Sequence, residues 1–387
     1  QTHIIEALSV LVRTGELDRC EFINVESEFA AMSVALGASA AGARAYTATS
    51  SQGLLFMMEA VYNVAGLGLP VVMTLANRAV GAPINIWNDH SDAMAVRDAG
   101  WVMLFAESNQ EAADLHVQAF RLAEEISVPV MVCMDGFILT HAVERVDLVE
   151  QVAVDAYLPP YEPRQVLDPD DPVSIGAMVG PEAFTEVRYL AHARQLEALR
   201  RIPEITAEFA RSFGRESGGL LHPYRTEDAD IVVVALGSIL GTIEDAVDTM
   251  RERGLSVGAL GVTTFRPFPL EALRAALAGA RRVVVVEKAF SIGFGGVLST
   301  DVAMATGGLG LDIATVVAGL GGRAVAESTL CTMLEDAGAS RLERLTFLDL
   351  DHGVVERELA RMADSRRSGP TAENILRDIG TGARSPS

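Results

Sequence analysis

Three short stretches carry side chains that can do chemistry together. Glu28 closes Val25-Glu26-Ser27-Glu28, hydroxyls cluster in Thr49-Ser50-Ser51-Gln52, and Arg78 follows Asn77. Each stands at the end of an apolar run that reads as a strand. In open parallel sheets ligands bind beyond the carboxyl ends of the strands, where helix N-termini converge. One acid, a set of hydroxyls at a helix start and one guanidinium make a crevice for an anionic substrate. Arginine forks onto a carboxylate, and a helix N-terminus attracts negative charge. Plainer readings stand beside these: Ser51 as a helix cap, Glu28 as a first-turn carboxylate favoured by the helix dipole. The neighbours Phe29, Ala30, Ala31 and Met32 predict instead a desolvated Glu28 carboxyl, suited to sharing a proton.

Other motifs are weaker. The polar loop Asn85 to Asp92 carries Trp87, Asn88, Asp89, His90 and Asp92 at the mouth of a sheet, a composition that reads as functional. Leu236-Gly237-Ser238-Ile239-Leu240-Gly241 lacks the three-glycine spacing of a dinucleotide fingerprint and reads as tight strand-to-helix packing. Gly293, Gly295 and Gly296 form a loop under the same caution. The seven histidines show no zinc-type spacing, and no metal ligands are expected in this chain. Cys133 ends an apolar strand and reads as a small buried hydrophobe.

The elements that must position these groups alternate strand and helix. Strands are expected over Cys20–Val25, Arg44–Thr49, Leu69–Ala76, Trp101–Ala106 and Val128–Met134, with an Ala-rich helix up to Ala43. That alternation predicts parallel βαβ units with both sheet faces covered. Five of the fifteen prolines fall between Pro159 and Pro172, which predicts an extended arm leaving the first domain. A helix from Pro181 to about Phe213 follows, kinked or restarted at Pro203. A second α/β pattern has strands over Ile231–Leu236, Leu255–Val262 and Arg282–Val286. The expected domains are 1–155, a connector 156–227, a second α/β domain 228–330 and a helical tail 331–387, frayed from Ser365 onward.

Composition bounds the function. The net charge of −21 repels phosphate backbones and anionic lipid, so neither nucleic acid nor a membrane surface is an expected partner. No apolar run reaches the roughly 18 residues of a spanning helix. Cys20, Cys133 and Cys331 are too few and too scattered for a disulfide framework or a four-cysteine cluster, and a reducing cytoplasm is the natural setting.

Several segments together resemble the α subunits of the pyruvate:ferredoxin oxidoreductase family, within the 2-oxoacid:ferredoxin oxidoreductases. They are Val25-Glu26-Ser27-Glu28, Gly37 to Arg44, Thr47-Ala48-Thr49-Ser50-Ser51-Gln52-Gly53-Leu54, Asn77-Arg78-Ala79, Pro83 to His90 and Phe265-Arg266-Pro267-Phe268-Pro269. The resemblance runs in order over roughly residues 1 to 330. It implies a thiamine diphosphate-binding pyrimidine-type domain with a parallel sheet, then a transketolase-C-terminal-like α/β domain. It implies oxidative decarboxylation of pyruvate to acetyl-CoA and CO2, with electrons passed to ferredoxin. Thiamine diphosphate would be shared with a β subunit. Mg2+ and [4Fe-4S] clusters would lie on partners, among them a γ and a ferredoxin-like δ subunit.

By match of position, Glu28 is the glutamate expected on the aminopyrimidine nitrogen, with Thr49, Ser50, Ser51 and Gln52 around the cofactor. Arg78 is expected to bind the substrate carboxylate, and Asn88, Asp89 and His90 to form a substrate loop. Family chains begin some tens of residues earlier with a Tyr-Pro-Ile-Thr-Pro-like segment, whereas this sequence opens at Gln1-Thr2. The expectation is a start just after that segment, with one hydroxyl donor and one strand of the first sheet missing. A branched-chain oxoacid enzyme is the alternative within the class, and a non-catalytic thiamine-fold assembly subunit the alternative outside it. A nicotinamide dehydrogenase lacks its glycine fingerprint. Arg266-Pro267-Phe268-Pro269 reads as fixing a subunit contact.

Overall fold

The structure is a computed structural model that describes residues 2–364 and 371–380. In chain order its strands are β1 (Ala45–Thr49), β2 (Val71–Asn77), β3 (Val102–Phe105), β4 (Val130–Asp135), β5 (Leu221–Tyr224), β6 (Ile231–Ala235), β7 (Val257–Val262), β8 (Thr264–Arg266), β9 (Arg282–Glu287), β10 (Asp312–Val317) and β11 (Leu345–Phe347). They form two sheets, ordered β1-β2-β4-β3-β8 and β11-β10-β9-β6-β7-β5.

β1 to β4 are mutually parallel, and β2 is buried along its whole length. A strand covered on both faces needs no polar alternation, which explains the unbroken Val-Val-Met-Thr-Leu-Ala run. The register sets Asn77 beside Asp135 and Thr49 beside Leu75, so Thr49, Arg78 and Asp135 emerge at one edge of the sheet. The helix Glu28–Ala40 is capped by Ser27, whose hydroxyl accepts the Ala30 N–H. Its small side chains let it lie against β1 and the helix Met58–Leu67.

The two α/β units share their packing. β8 leaves the second unit and pairs antiparallel with β3 of the first sheet, with the Phe105 N–H bonded to Thr263 O. One apolar cluster then runs from Met32, Met73 and Trp101 through Phe105 to Phe265, Leu273 and Val302. The rings of Phe105 and Phe265 meet edge to face at 5.8 Å. The segment around Arg266 also makes contacts within the chain, where Arg266 pairs with Asp301. The second sheet takes β5 from before residue 228 and β11 from after residue 330.

Three expectations change. Cys20–Val25 is not a strand: no backbone among the described residues pairs with it, and Ile23 and Val25 stay exposed. The proline-rich arm does not leave the first domain but returns across it. Leu167 N–H bonds to Ala40 O, the Gln165 amide reaches Leu67 O, and Ile175 packs on the core. The long helix is continuous over Phe184–Phe213 with Pro203 inside it, held by Ala198, Ile202, Ile205 and Phe209 on its buried face. Of the tail expected to fray from Ser365, Thr371–Asp378 is instead a helix, and residues 365–370 and 381–387 lie outside the described residues.

Candidate functional site

Glu28 is the first residue of its helix, and its carboxylate has no hydrogen-bond partner among the described residues. It is exposed, contrary to the desolvation expected from its apolar neighbours: Met32 turns into the core, and Phe29 stands half open beside it. Thr49, buried at the end of β1, lies across from it. The two side chains meet over Gly53, where a β-carbon would sit 2.5 Å from Thr49 Oγ1 and 3.1 Å from Glu28 Oε1. Ser50, the residue after Thr49, is half-buried, and Gln52 is exposed.

Ser51 stands at the position of a cap for the helix Gln52–Phe56 but makes no side-chain cap bond. Its hydroxyl instead bonds to Ala79 O and to Gln52 Oε1, and its N–H donates to Asp92 Oδ2 at 3.0 Å. The backbone there has φ 50°, a region that non-glycine residues seldom adopt and that surrounding contacts must hold. Those contacts converge on Asp92. Its Oδ2 also takes the Arg78 N–H at 3.0 Å, and its Oδ1 takes the Asn77 amide at 2.9 Å and the Ala93 N–H. Burial pushes the Asp92 carboxyl up to about 6 against these four donors. One buried carboxylate therefore ties the end of β1 to the end of β2. Sequence reasoning placed Asp92 in the loop but gave it no role.

Arg78 projects from that junction. No carboxylate pairs with its guanidinium among the described residues, and its Nε is buried without a partner. The Ala79 N–H bonds to Trp87 O, so that the loop folds back on the end of β2, pairing the neighbours of Arg78 and Asn88 in the chain. Asn88 is 1% exposed, and both its amide nitrogen and its oxygen lack partners. Buried polar atoms are normally satisfied, so these orphaned atoms single out Arg78 and Asn88.

Asp89 and His90 are occupied. Asp89 accepts the Ser91 N–H and the Gly321 N–H, and His90 Nε2 bonds to Asp135 Oδ1 at 2.6 Å. Their geometry holds the loop, leaving Asn88 as its residue with free polar atoms.

The glycine motifs also find their use. Gly237-Ser238 packs on Asp135, with the Ser238 N–H and hydroxyl both bonded to Asp135 Oδ2. After the Gly293 to Gly296 loop, the N–H groups of Val297, Leu298 and Ser299 all donate to buried Glu287. Both sets of backbone donors are thus filled by the chain's own carboxylates, not left open for phosphate. Cys133 is fully buried, and burial pushes its thiol well up. Glu107, Glu111 and His222 approach one another closely enough for a metal ion. Both nitrogens of His222 are engaged, however, Nδ1 with Glu107 and Nε2 with Gly218 O. That pattern is an imidazolium clasp between β5 and the end of β3.

Residues 1–207 match the family described as "Pyruvate flavodoxin/ferredoxin oxidoreductase, thiamine diP-bdg", and residues 229–330 match "Pyruvate:ferredoxin oxidoreductase core domain II". The chain belongs to the pyruvate:ferredoxin oxidoreductase family. It is 53% identical over 295 residues to the pyruvate synthase subunit PorA of Methanosarcina barkeri, covering 76% of this chain and 73% of that one. With the PorA subunit of Methanothermobacter thermautotrophicus it shares 44% over 325 residues, 84% of each. The fold is also that of the 2-oxoglutarate:ferredoxin oxidoreductase from Magnetococcus marinus, solved with 2-oxoglutarate, coenzyme A and succinyl-CoA bound. That match has a TM-score of 0.62 and 17% identity, covering 87% of this chain and 60% of that one.

A pyruvate:ferredoxin oxidoreductase family chain is an oxidoreductase subunit that works within a multi-subunit enzyme, and its first domain is the thiamine diphosphate-binding one. The α/β fold class and the family expected from sequence both hold. The residues present fit the cofactor: Glu28 offers a carboxylate without a partner among the described residues, and the bare α-carbon of Gly53 is what lets it and Thr49 Oγ1 approach each other there. Among the described residues, no helix is long and apolar enough to cross a membrane.

Proposed function

We propose that this chain is the α subunit of a pyruvate:ferredoxin oxidoreductase, active only when assembled. The observation that carries the reading is the meeting of Glu28 and Thr49 over Gly53 at the same sheet edge as the unpaired Arg78 and Asn88. Pyruvate and CoA give acetyl-CoA and CO2, and the two electrons released pass to ferredoxin. The partner β subunit would hold the diphosphate and its Mg2+, and a ferredoxin-like δ subunit, with a γ subunit, the [4Fe-4S] clusters. Three cysteines, two of them buried in separate parts of the core, cannot ligate a four-cysteine cluster here. Unpaired cysteines also suit a reducing cytoplasm.

Thiamine diphosphate supplies the nucleophilic carbon and the electron sink for decarboxylation. The chain's own residues do the rest. Glu28 holds a proton at its carboxylate, shared with the aminopyrimidine nitrogen, with Thr49 and the segment Ser50 to Gln52 beside it. Because Glu28 is open in this chain, its desolvation must come from the cofactor and the partner subunit that cover it. Arg78 presents a fixed positive charge to the substrate carboxylate, orienting the oxoacid carbonyl and offsetting the repulsion between two anions. Asn88 offers a donor and an acceptor on the loop that follows Arg78.

The test is pyruvate- and CoA-dependent reduction of a low-potential dye by the chain reconstituted with its partner subunits and thiamine diphosphate. Turnover is expected with pyruvate in preference to 2-oxoisovalerate. It is expected to fall by about 10²- to 10⁴-fold in Glu28→Gln, the usual worth of a positioned proton-transfer group. An assembled, cofactor-loaded complex inactive with every oxoacid would overturn the reading in favour of an assembly subunit.

A further inference from the structure

The sequence holds thirty arginines and a single lysine, Lys288. That lysine is 5% exposed and lies between the two α/β units. Its Nζ donates to Asp135 Oδ2 at 2.7 Å and lies 3.4 Å from Ser238 Oγ. Asp135, fully buried at the end of β4, gives its other oxygen to His90 Nε2. Burial alone would raise Asp135, but the charges of Lys288 and His90 hold its carboxyl well below the ordinary value. Gly237, at φ 73°, completes the enclosure, since a β-carbon there would stand 2.9 Å from Asp135 Oδ1. The cluster thus joins β4 of the first unit to the ends of β6 and β9 of the second.

Its position bears on the oxoacid site. The Lys288 carbonyl accepts the N–H of His90 at 2.8 Å, at the end of the loop that begins after Arg78. The same loop is held twice more by the second unit: Asp89 Oδ2 takes the Gly321 N–H at 3.2 Å, and the Asn85 amide donates to Gly321 O at 3.1 Å. Asn88, whose amide is free, lies within this thrice-held stretch. The site faces one carboxylate oxygen and one hydroxyl. A compact ammonium matches that pair, whereas a guanidinium would bring five donors in a rigid fork. A chain that uses arginine at every other cationic position keeps lysine here.

We infer that Lys288 is a positioning residue for oxoacid binding: through Asp135 and His90 it fixes the loop that follows Arg78 and carries Asn88. The inference rests on the reading of Arg78 as the carboxylate anchor. It also gives the second α/β unit a task, that of a brace against which the substrate loop is set.

Two arms test it in the reconstituted complex. In the first, Lys288→Met raises the KM for pyruvate at least tenfold, while kcat and thiamine diphosphate affinity change less than threefold. Arg78→Lys is measured alongside. If Arg78→Lys leaves the KM unchanged, the reading of the anchor itself fails. If Arg78→Lys raises it and Lys288→Met does not, only the positioning role falls. A uniform loss of kcat, cofactor affinity and assembly in Lys288→Met also overturns it, since a merely structural residue would behave so.

The second arm needs no variant. Lys288 is the only ε-amine of this chain, so brief treatment with an amine-reactive ester and mass spectrometry of its peptide reads the opening of the cluster. Oxamate, the unreactive amide isostere of pyruvate, is expected to slow that labelling at least threefold, because a loop that favours ligand is favoured by ligand in turn. Labelling indifferent to saturating oxamate would overturn the inference.

Discussion

Glu28 and Thr49 face each other across the bare α-carbon of Gly53, although one begins a helix and the other ends a strand. Only a residue without a side chain lets both approach. Gly53→Ala should fold, since the position is helical and alanine is the better helix former. The added methyl must push away Thr49 Oγ1 or the Glu28 side chain. Thiamine diphosphate affinity of the reconstituted complex is expected to fall about tenfold or more, equivalent to roughly 1.4 kcal/mol. Unchanged affinity in a cofactor titration would show that this pair does not meet the cofactor.

Arg78 keeps its charge in Arg78→Lys but loses the planar fork and the buried Nε. The KM for pyruvate is expected to rise about 10- to 100-fold, or roughly 1.4–2.8 kcal/mol, with a smaller change in kcat. Steady-state kinetics in the dye assay decide this. A fall confined to kcat would contradict a role in holding the substrate carboxylate.

Asp92 accepts from four N–H groups, which no neutral isostere can do. In Asp92→Asn the new amide group must face two donors. Leaving them unsatisfied costs about 1–3 kcal/mol each, visible as a lower melting temperature with disturbed Arg78 chemistry. The parent chain has its own signature. Folding raises the Asp92 carboxyl from 3.8 to about 6, so its stabilising contribution is full below 3.8 and is lost as pH rises through about 6. Thermal unfolding of parent and variant across that window should show the gap between them change, and a constant gap would remove Asp92 as the titrating group.

His222 titrates higher. Burial lowers it, but the hydrogen bond to Glu107 and the charges of Glu111 and Glu107 raise it from 6.5 to about 9. Its contribution is complete below 6.5 and disappears as pH rises through about 9. The melting-temperature difference between the parent and His222→Gln should therefore be large at about pH 7 and close by about pH 10. Glu111, which burial pushes up to about 7, has finished titrating over most of that range. A difference that persists to the alkaline end would mean that His222 acts by packing alone.

Much of this arrangement was legible in the sequence because it is written in short-range signals. β2 and β4 are unbroken apolar runs, Ser27 marks its helix start, and the hydroxyls and Arg78 follow strands directly. The family came from the same stretches. What escaped depends on distance in sequence. Cys20–Val25 has strand composition, but a strand exists only if a neighbour pairs with it. Asp92 looked like one polar residue among several, because its donors come from Ser51, Asn77 and Arg78. Asp135 and Lys288 lie 153 residues apart, and neither carries a local mark of the other. The surroundings of Glu28 misled because neighbours in sequence on a helix point in different directions: Met32 is inward, while Glu28 is outward.

β8 has a bearing on how the molecule comes into being. The outer rim of the first sheet, at β3, is closed by three residues of the unit that the chain makes later. Until Thr264–Arg266 arrives, β3 offers open backbone groups and Phe105 to any passing strand, the condition under which nascent chains associate wrongly. Family matches divide this chain at residues 207 and 229, but a gene cut there would not yield two self-sufficient pieces. The unit of inheritance and the unit of folding are different lengths in this protein.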